Sequence, residues 1–303
     1  MYRILHVIGK GDSKMHTEEG FIPVTGGNVY FRKTGNGPGI PLLVLHGGPG
    51  GMSRESDPIR KLGDDRPVIH YDQLGCGNSD RPEDLSLWTV ERYVEELGQV
   101  REALGLNEVH ILGHSWGTML AAAYLLTKPT GVKSVIFSSP CLNSRMWERD
   151  QREYLKDLPQ ESQDIIERCE RDETTDSPEY HQAMIQFYER HVCRLLPWPQ
   201  ELLDNMARSN HEIYGFMWGA SEFTVTGTLQ DFDVTDRLNE IVIPSLFTCG
   251  RYDEATPKTT EYYASLAPNS EFHVFENSAH MPGVEEPQAF ADTVREFLNK
   301  QPL

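Results

Sequence analysis

Short apolar runs alternate with helix-periodic segments along the first half of the chain. Four such runs, at 41–45, 66–71, 108–112 and 132–137, have the length and composition of buried strands. Between the second and the third run, apolar residues recur at helical spacing over residues 90–104. Strand, helix and strand in succession predict a parallel sheet with right-handed crossovers.

The pattern changes over residues 142–237. Charged helical segments follow one another there, and no clear apolar strand lies among them. Apolar runs return at 241–249 and 271–275, and an amphipathic helix follows at 287–298. We therefore predict an α/β fold, a mostly parallel sheet flanked by helices, with an inserted helical cap. The predicted boundaries are 21–141 and 238–303 for the sheet domain, 142–237 for the cap, and 1–20 for a candidate extension.

Composition and charge narrow the class of partner. The 303 residues include 28 Lys and Arg against 46 Asp and Glu, a formal net charge of −18. Nucleic-acid binding needs basic residues to neutralise phosphate, so we expect no nucleic-acid partner. No apolar run reaches the roughly 18 residues of a membrane span, and the apolar start is too short for a signal peptide, so we expect no membrane association.

The cysteines indicate a compartment. All five are widely spaced and none forms a C-x-x-C pair, a pattern that fits neither a disulfide framework nor a zinc site. We therefore expect a cytoplasmic protein that uses no metal and no other cofactor.

A candidate nucleophile follows the predicted strand at 108–112. Gly113–Gly117 reads G-H-S-W-G, and a helix-forming segment comes directly after it. In a G-x-S-x-G elbow the turn raises the serine hydroxyl at the carboxyl end of a strand, and the two glycines let strand and helix approach closely. Because the motif alone is frequent, its position between strand and helix is what predicts Ser115 as the nucleophile of an α/β-hydrolase fold.

A serine hydroxyl needs a base, which this fold supplies later in the chain, in the order nucleophile, acid, histidine. Asp253 follows the run at 241–249 and His280 follows the run at 271–275. Both lie just past predicted strand ends, where ligands bind in open α/β sheets. We predict that Asp253 orients His280 and stabilises its protonated form. Three competing aspartates precede the strand and are expected to cap or flank a helix: Asp231, Asp233 and Asp236.

A glycine-rich loop is the candidate oxyanion hole. His46–Gly50 follows the first apolar run, where this fold places a loop that contributes one amide. We predict that the N–H groups of Gly48 and of Trp116, the residue after the nucleophile, bind the oxyanion. The alternative is a Gly/Pro turn without a ligand.

Five blocks of the sequence, taken in order, resemble the signature blocks of proline iminopeptidases, a family of α/β-hydrolase serine aminopeptidases. The resemblance extends from about residue 20 to the end of the chain. In the cap, 219–228 is similar to the corresponding segment of tricorn-interacting aminopeptidases. The five blocks are His46–Gly50, Asp72–Ser79, Gly113–Gly117, Gly250–Pro257 and Ser278–His280.

The resemblance implies release of an N-terminal residue, preferably proline, through an acyl-enzyme. It also implies that acidic side chains bind the free α-amino group of the substrate, and the matching positions are Glu222 and Glu254. An ammonium held by two carboxylates would place the scissile carbonyl beside the serine. The expected ligands are short peptides or amino-acid amides with a free N-terminus.

Other functions stay open at this point. A small-acyl amidase, esterase or lactonase would use the same nucleophile without needing the two glutamates. A non-catalytic receptor on this fold would bind a ligand without turnover, since fold does not determine function. The sequence leaves the side-chain pocket, and so the strictness for proline, and the oligomeric state undefined.

Overall fold

A computed structural model describes residues 3–8 and 15–301, with side chains described from residue 15. The strands are β1 (Arg3–Ile8), β2 (Thr17–Val24), β3 (Gly27–Thr34), β4 (Leu42–Leu45), β5 (Val68–Tyr71), β6 (Val109–His114), β7 (Val132–Ser138), β8 (Gly219–Ser221), β9 (Thr224–Val225), β10 (Ser245–Gly250) and β11 (Ser270–Phe275). The helices are α1 (Val90–Ala103), α2 (Trp116–Leu125), α3 (Ser144–Leu155), α4 (Gln160–Arg171), α5 (Pro178–His191), α6 (Gln200–Arg208), α7 (His211–Met217), α8 (Pro257–Leu266), α9 (Pro282–Glu285) and α10 (Pro287–Asn299). Three 3₁₀ helices are also described: Pro58–Asp64, Leu85–Leu87 and Thr235–Glu240.

Among the described residues, nine strands form one sheet in the order β1-β2-β3-β5-β4-β6-β7-β10-β11. The strands from β5 to β11 in that order pair in parallel, and β1, β2 and β3 pair antiparallel at one edge. The predicted parallel sheet is therefore confirmed. Because the strands are parallel, the carboxyl ends of β4, β6, β10 and β11 lie on the same edge, where the predicted site residues follow them.

The apolar runs form strands because both faces of the sheet are covered. On β4, Leu43 and Leu45 belong to the core cluster that includes residues of α1 and α2. Leu42 and Val44 belong to a second cluster, which includes residues of α10. Successive side chains of a strand point to opposite faces, so a strand buried on both faces reads as a continuous apolar run rather than an alternating one.

The sheet begins earlier than the hydrophobic pattern indicates. Strand β1 and the first four residues of β2 lie within 1–20, the candidate extension, and β1 pairs antiparallel with β2. The pattern missed the start of β2 because this strand is only partly buried and begins with polar residues. Residues 1–2 and 9–14 of the candidate extension, and residues 302–303, lie outside the described residues.

The helices α3 to α7 lie within residues 142–237 and carry a core cluster of their own, in which Ile166, Phe187 and Phe223 are buried. Although the sequence shows no clear apolar strand here, β8 and β9 form a short antiparallel hairpin. Strands of three and two residues are too short to show a period of two in the sequence. No helix in the described part of the chain is long and apolar enough to span a membrane.

Candidate active site

Ser115 lies in the turn between β6 and α2, with φ of 54° and ψ of −123°. A positive φ is rare for a residue with a Cβ and marks a strained turn. The Ser115 N–H donates to the Ser138 carbonyl at 3.0 Å, and the Ser115 carbonyl accepts from the Thr118 N–H at 2.8 Å. These bonds hold the strained backbone, so the sequence G-H-S-W-G adopts the predicted elbow.

The two glycines of the elbow allow close packing of the backbone. A Cβ at Gly113 would lie under 3.0 Å from the carbonyl oxygen of Gly117. A Cβ at Gly117 would lie equally close to the carbonyl oxygen of Leu45, at the end of β4. Helix α2 therefore meets both β6 and β4 at distances that only glycine permits.

Asp253 and His280 lie in the loops that follow β10 and β11. His280 Nδ1 lies 2.8 Å from Asp253 Oδ1. The aspartate also accepts N–H bonds from Gly250, at 3.1 Å, and from Ala255, at 2.8 Å. The structure thus joins two residues that are 27 positions apart in the sequence, and it leaves Nε2 as the ring nitrogen of His280 that is available for proton transfer.

The protonated form of His280 is stabilised by its neighbours. Burial by itself lowers the pKa of the imidazole, but the charge and hydrogen bond of Asp253, together with the charges of Glu222 and Glu285, outweigh burial. The pKa of His280 is therefore raised above its ordinary value. Glu285 also positions the loop, since its carboxylate accepts from the Ala279 N–H at 2.9 Å.

The ring of His280 lies close to the elbow and to the cap. Its centroid is 4.9 Å from that of His114, the residue before the candidate nucleophile. It is 5.7 Å from the ring of Trp147, on α3. The imidazole therefore lies between the serine turn and the cap.

The competing aspartates lie elsewhere. Asp231 pairs with Arg145 at 2.8 Å, and three quarters of its side chain is exposed. Asp233 accepts from the N–H of Thr235, and Asp236 lies in the first turn of the 3₁₀ helix at 235–240. They flank a helix, and none of them contacts His280 among the described interactions.

The two segments that carry the candidate oxyanion donors are connected by Gln73. Trp116 is the first residue of α2, so its N–H has no intrahelical acceptor. Gly48, which has a φ of 123°, lines the same cavity as Ser115. The Gln73 side chain accepts from Trp116 Nε1 at 2.8 Å and donates to the His46 carbonyl at 3.3 Å. Its amide therefore connects the glycine-rich loop to the elbow helix.

The backbone of Gln73 adds a further link to the same loop. Its N–H donates to His46 Nε2 at 3.0 Å, which requires that nitrogen to be unprotonated. Burial lowers the pKa of His46 and so favours the neutral ring. Sequence reasoning missed Gln73, although the residue stands in the block Asp72–Ser79.

Glu222 and Glu254 approach the site from the cap and from the loop after β10. Glu254 is buried, and neither of its carboxylate oxygens has a hydrogen-bond partner among the described residues. Its Oε1 lies 3.5 Å from His280 Nε2. Glu222 accepts a hydrogen bond from the Tyr214 hydroxyl at 2.7 Å.

The two carboxyl groups raise each other's cost of ionisation. Burial raises the pKa of Glu254 well above its usual range, and the charges of Glu222 and Asp253 raise it further. Burial also raises the pKa of Glu222. No Lys or Arg side chain in the described part of the chain pairs with either carboxyl group, and a cationic ligand would relieve both the desolvation and the repulsion.

The cavity beside Ser115 has a volume of about 10 Å³, room for about one water molecule. Trp147 and Trp218 enclose it from the cap. Their indole N–H groups donate to the carbonyls of Glu222, at 2.8 Å, and Ser221, at 3.1 Å, so they also hold the segment that carries Glu222. The sequence analysis did not find the apolar lining, which consists of Met119, Cys141, Trp147 and Trp218.

Residues 15–301, whose side chains are described, contain no group of three or more His, Cys, Asp or Glu side chains placed to hold a metal ion.

The fold and this arrangement of residues define an α/β-hydrolase, and a family model described as the alpha/beta hydrolase fold matches residues 40–287. The chain is 58% identical over 287 residues to proline iminopeptidase of Heyndrickxia coagulans, covering 94% of this chain and 99% of that protein. It is 39% identical over 291 residues to proline iminopeptidase of Clostridium botulinum, covering 94% and 99%.

A solved structure agrees with these relatives. The crystal structure of proline iminopeptidase from Mycobacterium smegmatis superposes with a TM-score of 0.86 at 37% identity, covering 93% of this chain and 98% of that one. The chain belongs to the proline iminopeptidase family. The resemblance, the hydrolase class and the α/β-hydrolase fold expected from the sequence are confirmed.

Proposed function

We propose that the protein releases N-terminal proline from short peptides and amino-acid amides through an acyl-enzyme on Ser115. The observation that carries this proposal is a pair of carboxyl groups at the site: Glu222 is half-buried and lines the cavity at Ser115, and Glu254 is buried against His280. An N-terminal proline carries a secondary ammonium with two N–H donors, one for Glu222 and one for Glu254. Charge-assisted bonds to both would anchor the amino terminus and hold the prolyl carbonyl near the serine hydroxyl.

In the proposed reaction, Ser115 Oγ attacks the prolyl carbonyl while His280 Nε2 accepts its proton. The N–H groups of Gly48 and Trp116 bind the oxyanion that forms. His280 then protonates the leaving amine, and a water molecule, activated by the same imidazole, hydrolyses the acyl-enzyme. Asp253 holds the ring in orientation and stabilises its positive charge throughout.

The proposed domain division gives the cap a direct part in substrate binding. Residues 142–237 form the cap, and 21–141 with 238–303 form the sheet domain. The cap supplies Glu222 and the indoles of Trp147 and Trp218, which would contact the pyrrolidine ring. Because the cavity holds about one water molecule, these side chains must move for a prolyl residue to enter.

A cytoplasmic location is part of the proposal. All five cysteines are buried free thiols. Free thiols persist in the reducing cytoplasm, whereas secreted proteins tend to carry disulfides.

The test compares naphthylamides of proline, alanine and N-blocked proline with a p-nitrophenyl ester. The enzymes are wild type, Ser115→Ala, Glu222→Gln and, as a matched control, Glu212→Gln, which changes an exposed cap glutamate. We expect wild type and the control to cleave free-amine substrates and to leave the blocked one intact, with both site variants impaired. Cleavage of the blocked amide together with an unaffected Glu222→Gln would favour a general small-acyl hydrolase, and ligand binding without any turnover would favour a receptor.

A further inference from the structure

A second cavity, of about 70 Å³, shares no residue with the lining described for the cavity at Ser115. It lies where β3, the loop after the glycine-rich segment, the 3₁₀ helix Pro58–Asp64 and the cap helix α6 meet. Each of these two helices and β3 contributes a guanidinium group to the lining. We call it the arginine cavity, after Arg32, Arg60 and Arg208.

The charges of the arginine cavity are not balanced. Arg32 pairs with Glu19 and, at 3.3 Å, with Glu55. Arg60 and Arg208 have no ion-pair partner within the described part of the chain. The described lining thus sets three guanidinium groups against one carboxylate, that of Glu55. In a chain of net charge −18, this grouping does not follow from an excess of basic residues.

Two buried donors at the cavity lack acceptors. Arg60 Nε and Asn205 Nδ2 are buried and have no hydrogen-bond partner among the described residues. Burial lowers the pKa of Arg60, and the nearby charge of Arg32 lowers it further. Buried donors without hydrogen bonds and neighbouring like charges both destabilise the folded state, and an anionic acceptor would relieve both effects.

The arginine cavity is connected to the glycine-rich loop by one carboxylate. Asp72 accepts from the N–H of Ser53 at 2.9 Å and from that of Asn78 at 2.9 Å. Ser53 and Asn78 line the cavity, and Arg208 donates to Asn78 Oδ1 at 3.0 Å. Because Ser53 follows Gly48 by five residues, a ligand here would act on the loop that carries a candidate oxyanion donor.

We propose that the arginine cavity binds an oxyanion, held by Arg60, Arg208 and the side-chain amide of Asn205. A guanidinium group presents a planar fork of N–H donors that matches the oxygens of carboxylate and phosphate. Two sources share this chemistry. One is free inorganic phosphate, and the other is the C-terminal carboxylate of a short peptide substrate, a source that rests on the proposed function.

The first experiment measures binding of inorganic phosphate by calorimetry at constant ionic strength. Wild type, Arg60→Gln and Arg208→Gln are compared with Arg145→Gln, which removes an exposed cap arginine that pairs with Asp231. We expect saturable binding to wild type and to the control, and an affinity about ten-fold or more lower in each cavity variant. Arg208 is exposed, so its variant tests the site even if Arg60→Gln folds poorly. Equal binding by all four proteins would mean that phosphate binds elsewhere and would overturn the proposal.

The second experiment separates the two sources of the anion. It compares kcat/KM for prolyl-alanine with that for prolyl-alanine amide, with and without phosphate. If wild type prefers prolyl-alanine, and if phosphate and both cavity variants abolish that preference, the anion bound in the cavity is the C-terminal carboxylate of the substrate. If phosphate binds saturably and wild type shows no such preference, the bound anion is free phosphate. Wild type that shows neither refutes the arginine cavity as an anion site. Prolyl naphthylamide has no carboxylate, so its cleavage reports the proposed aminopeptidase activity independently.

Discussion

Replacement of Glu254 by Gln should have opposite effects on activity and stability. The residue is 1% exposed, and both carboxylate oxygens lack hydrogen-bond partners among the described residues. In the proposed function this carboxylate is left without a hydrogen-bond donor so that it can bind the substrate ammonium. The variant keeps the shape of the side chain and removes the charge.

The loss of activity follows from one charge-assisted bond. Such a bond contributes about 1.5–3 kcal/mol, so kcat/KM for prolyl naphthylamide should fall roughly 10-fold to 150-fold. Hydrolysis of a p-nitrophenyl ester that lacks an ammonium group should change much less. The control Glu212→Gln should match wild type on both substrates.

The gain in stability should depend on pH. A carboxyl whose pKa is raised by folding destabilises the folded state above its unfolded pKa, and increasingly so until the pH passes the raised value. The pKa of Glu254 is raised well above its usual range, so the advantage of Glu254→Gln should be small near pH 4 and should grow toward alkaline pH. The gain comes from the buried charge alone: each unit by which folding raises the pKa corresponds to about 1.4 kcal/mol, and each kcal/mol to a Tm increase of roughly 2–4 °C.

The assays are steady-state kinetics and thermal unfolding over a series of pH values. A variant that retains wild-type kcat/KM on prolyl substrates would refute the role in amino-terminus binding. A Tm below that of wild type at pH 8 would refute the reasoning about the unpaired carboxylate. Because the two measurements are independent, either part of the argument can fail alone.

Three further predictions concern the surroundings of the site. Gln73→Leu should lower kcat about 10-fold to 100-fold with little change in KM, because it removes the amide that connects the two segments carrying the candidate oxyanion donors. If KM for the ester rises by the same factor as kcat falls, the positioning role is contradicted. Glu222→Gln should shift the acidic limb of the pH–rate profile for ester hydrolysis to lower pH, because the Glu222 charge helps to raise the pKa of His280. An unchanged limb would show that this charge does not affect the imidazole. Gly113→Ala should abolish activity and lower Tm, because the new Cβ would clash with backbone atoms rather than with a movable side chain. Full activity at the wild-type Tm would show that β6 and α2 can move apart.

The parallel sheet could be predicted because its information is local. Strands buried on both faces appear as short apolar runs, and helices appear by their period, so most elements were located within a few residues. The edge strands β1 and β2 and the hairpin β8–β9 could not be predicted in this way, since they are partly polar or very short. Their pairing depends on neighbours that the local pattern does not record.

The positions of the candidate catalytic residues were also readable from the sequence. Motif, strand ends and chain order are properties of the linear chain, and they led to Ser115, Asp253 and His280, whose catalytic roles stay predictions. The structure adds that Asp253 and His280 are hydrogen bonded at 2.8 Å.

Only the tertiary structure decided which side chains meet across long separations. The tether from Gln73 to Trp116 spans 43 residues, and the hydrogen bond from Trp147 to the Glu222 carbonyl spans 75. Arg60 and Arg208 reach one cavity from the 3₁₀ helix Pro58–Asp64 and from α6. Such contacts depend on how the cap packs on the sheet, and no period or motif in the chain encodes that packing. The sequence by itself determined the elements and the candidate chemistry, and the packing determined the pocket, the tether and the arginine cavity.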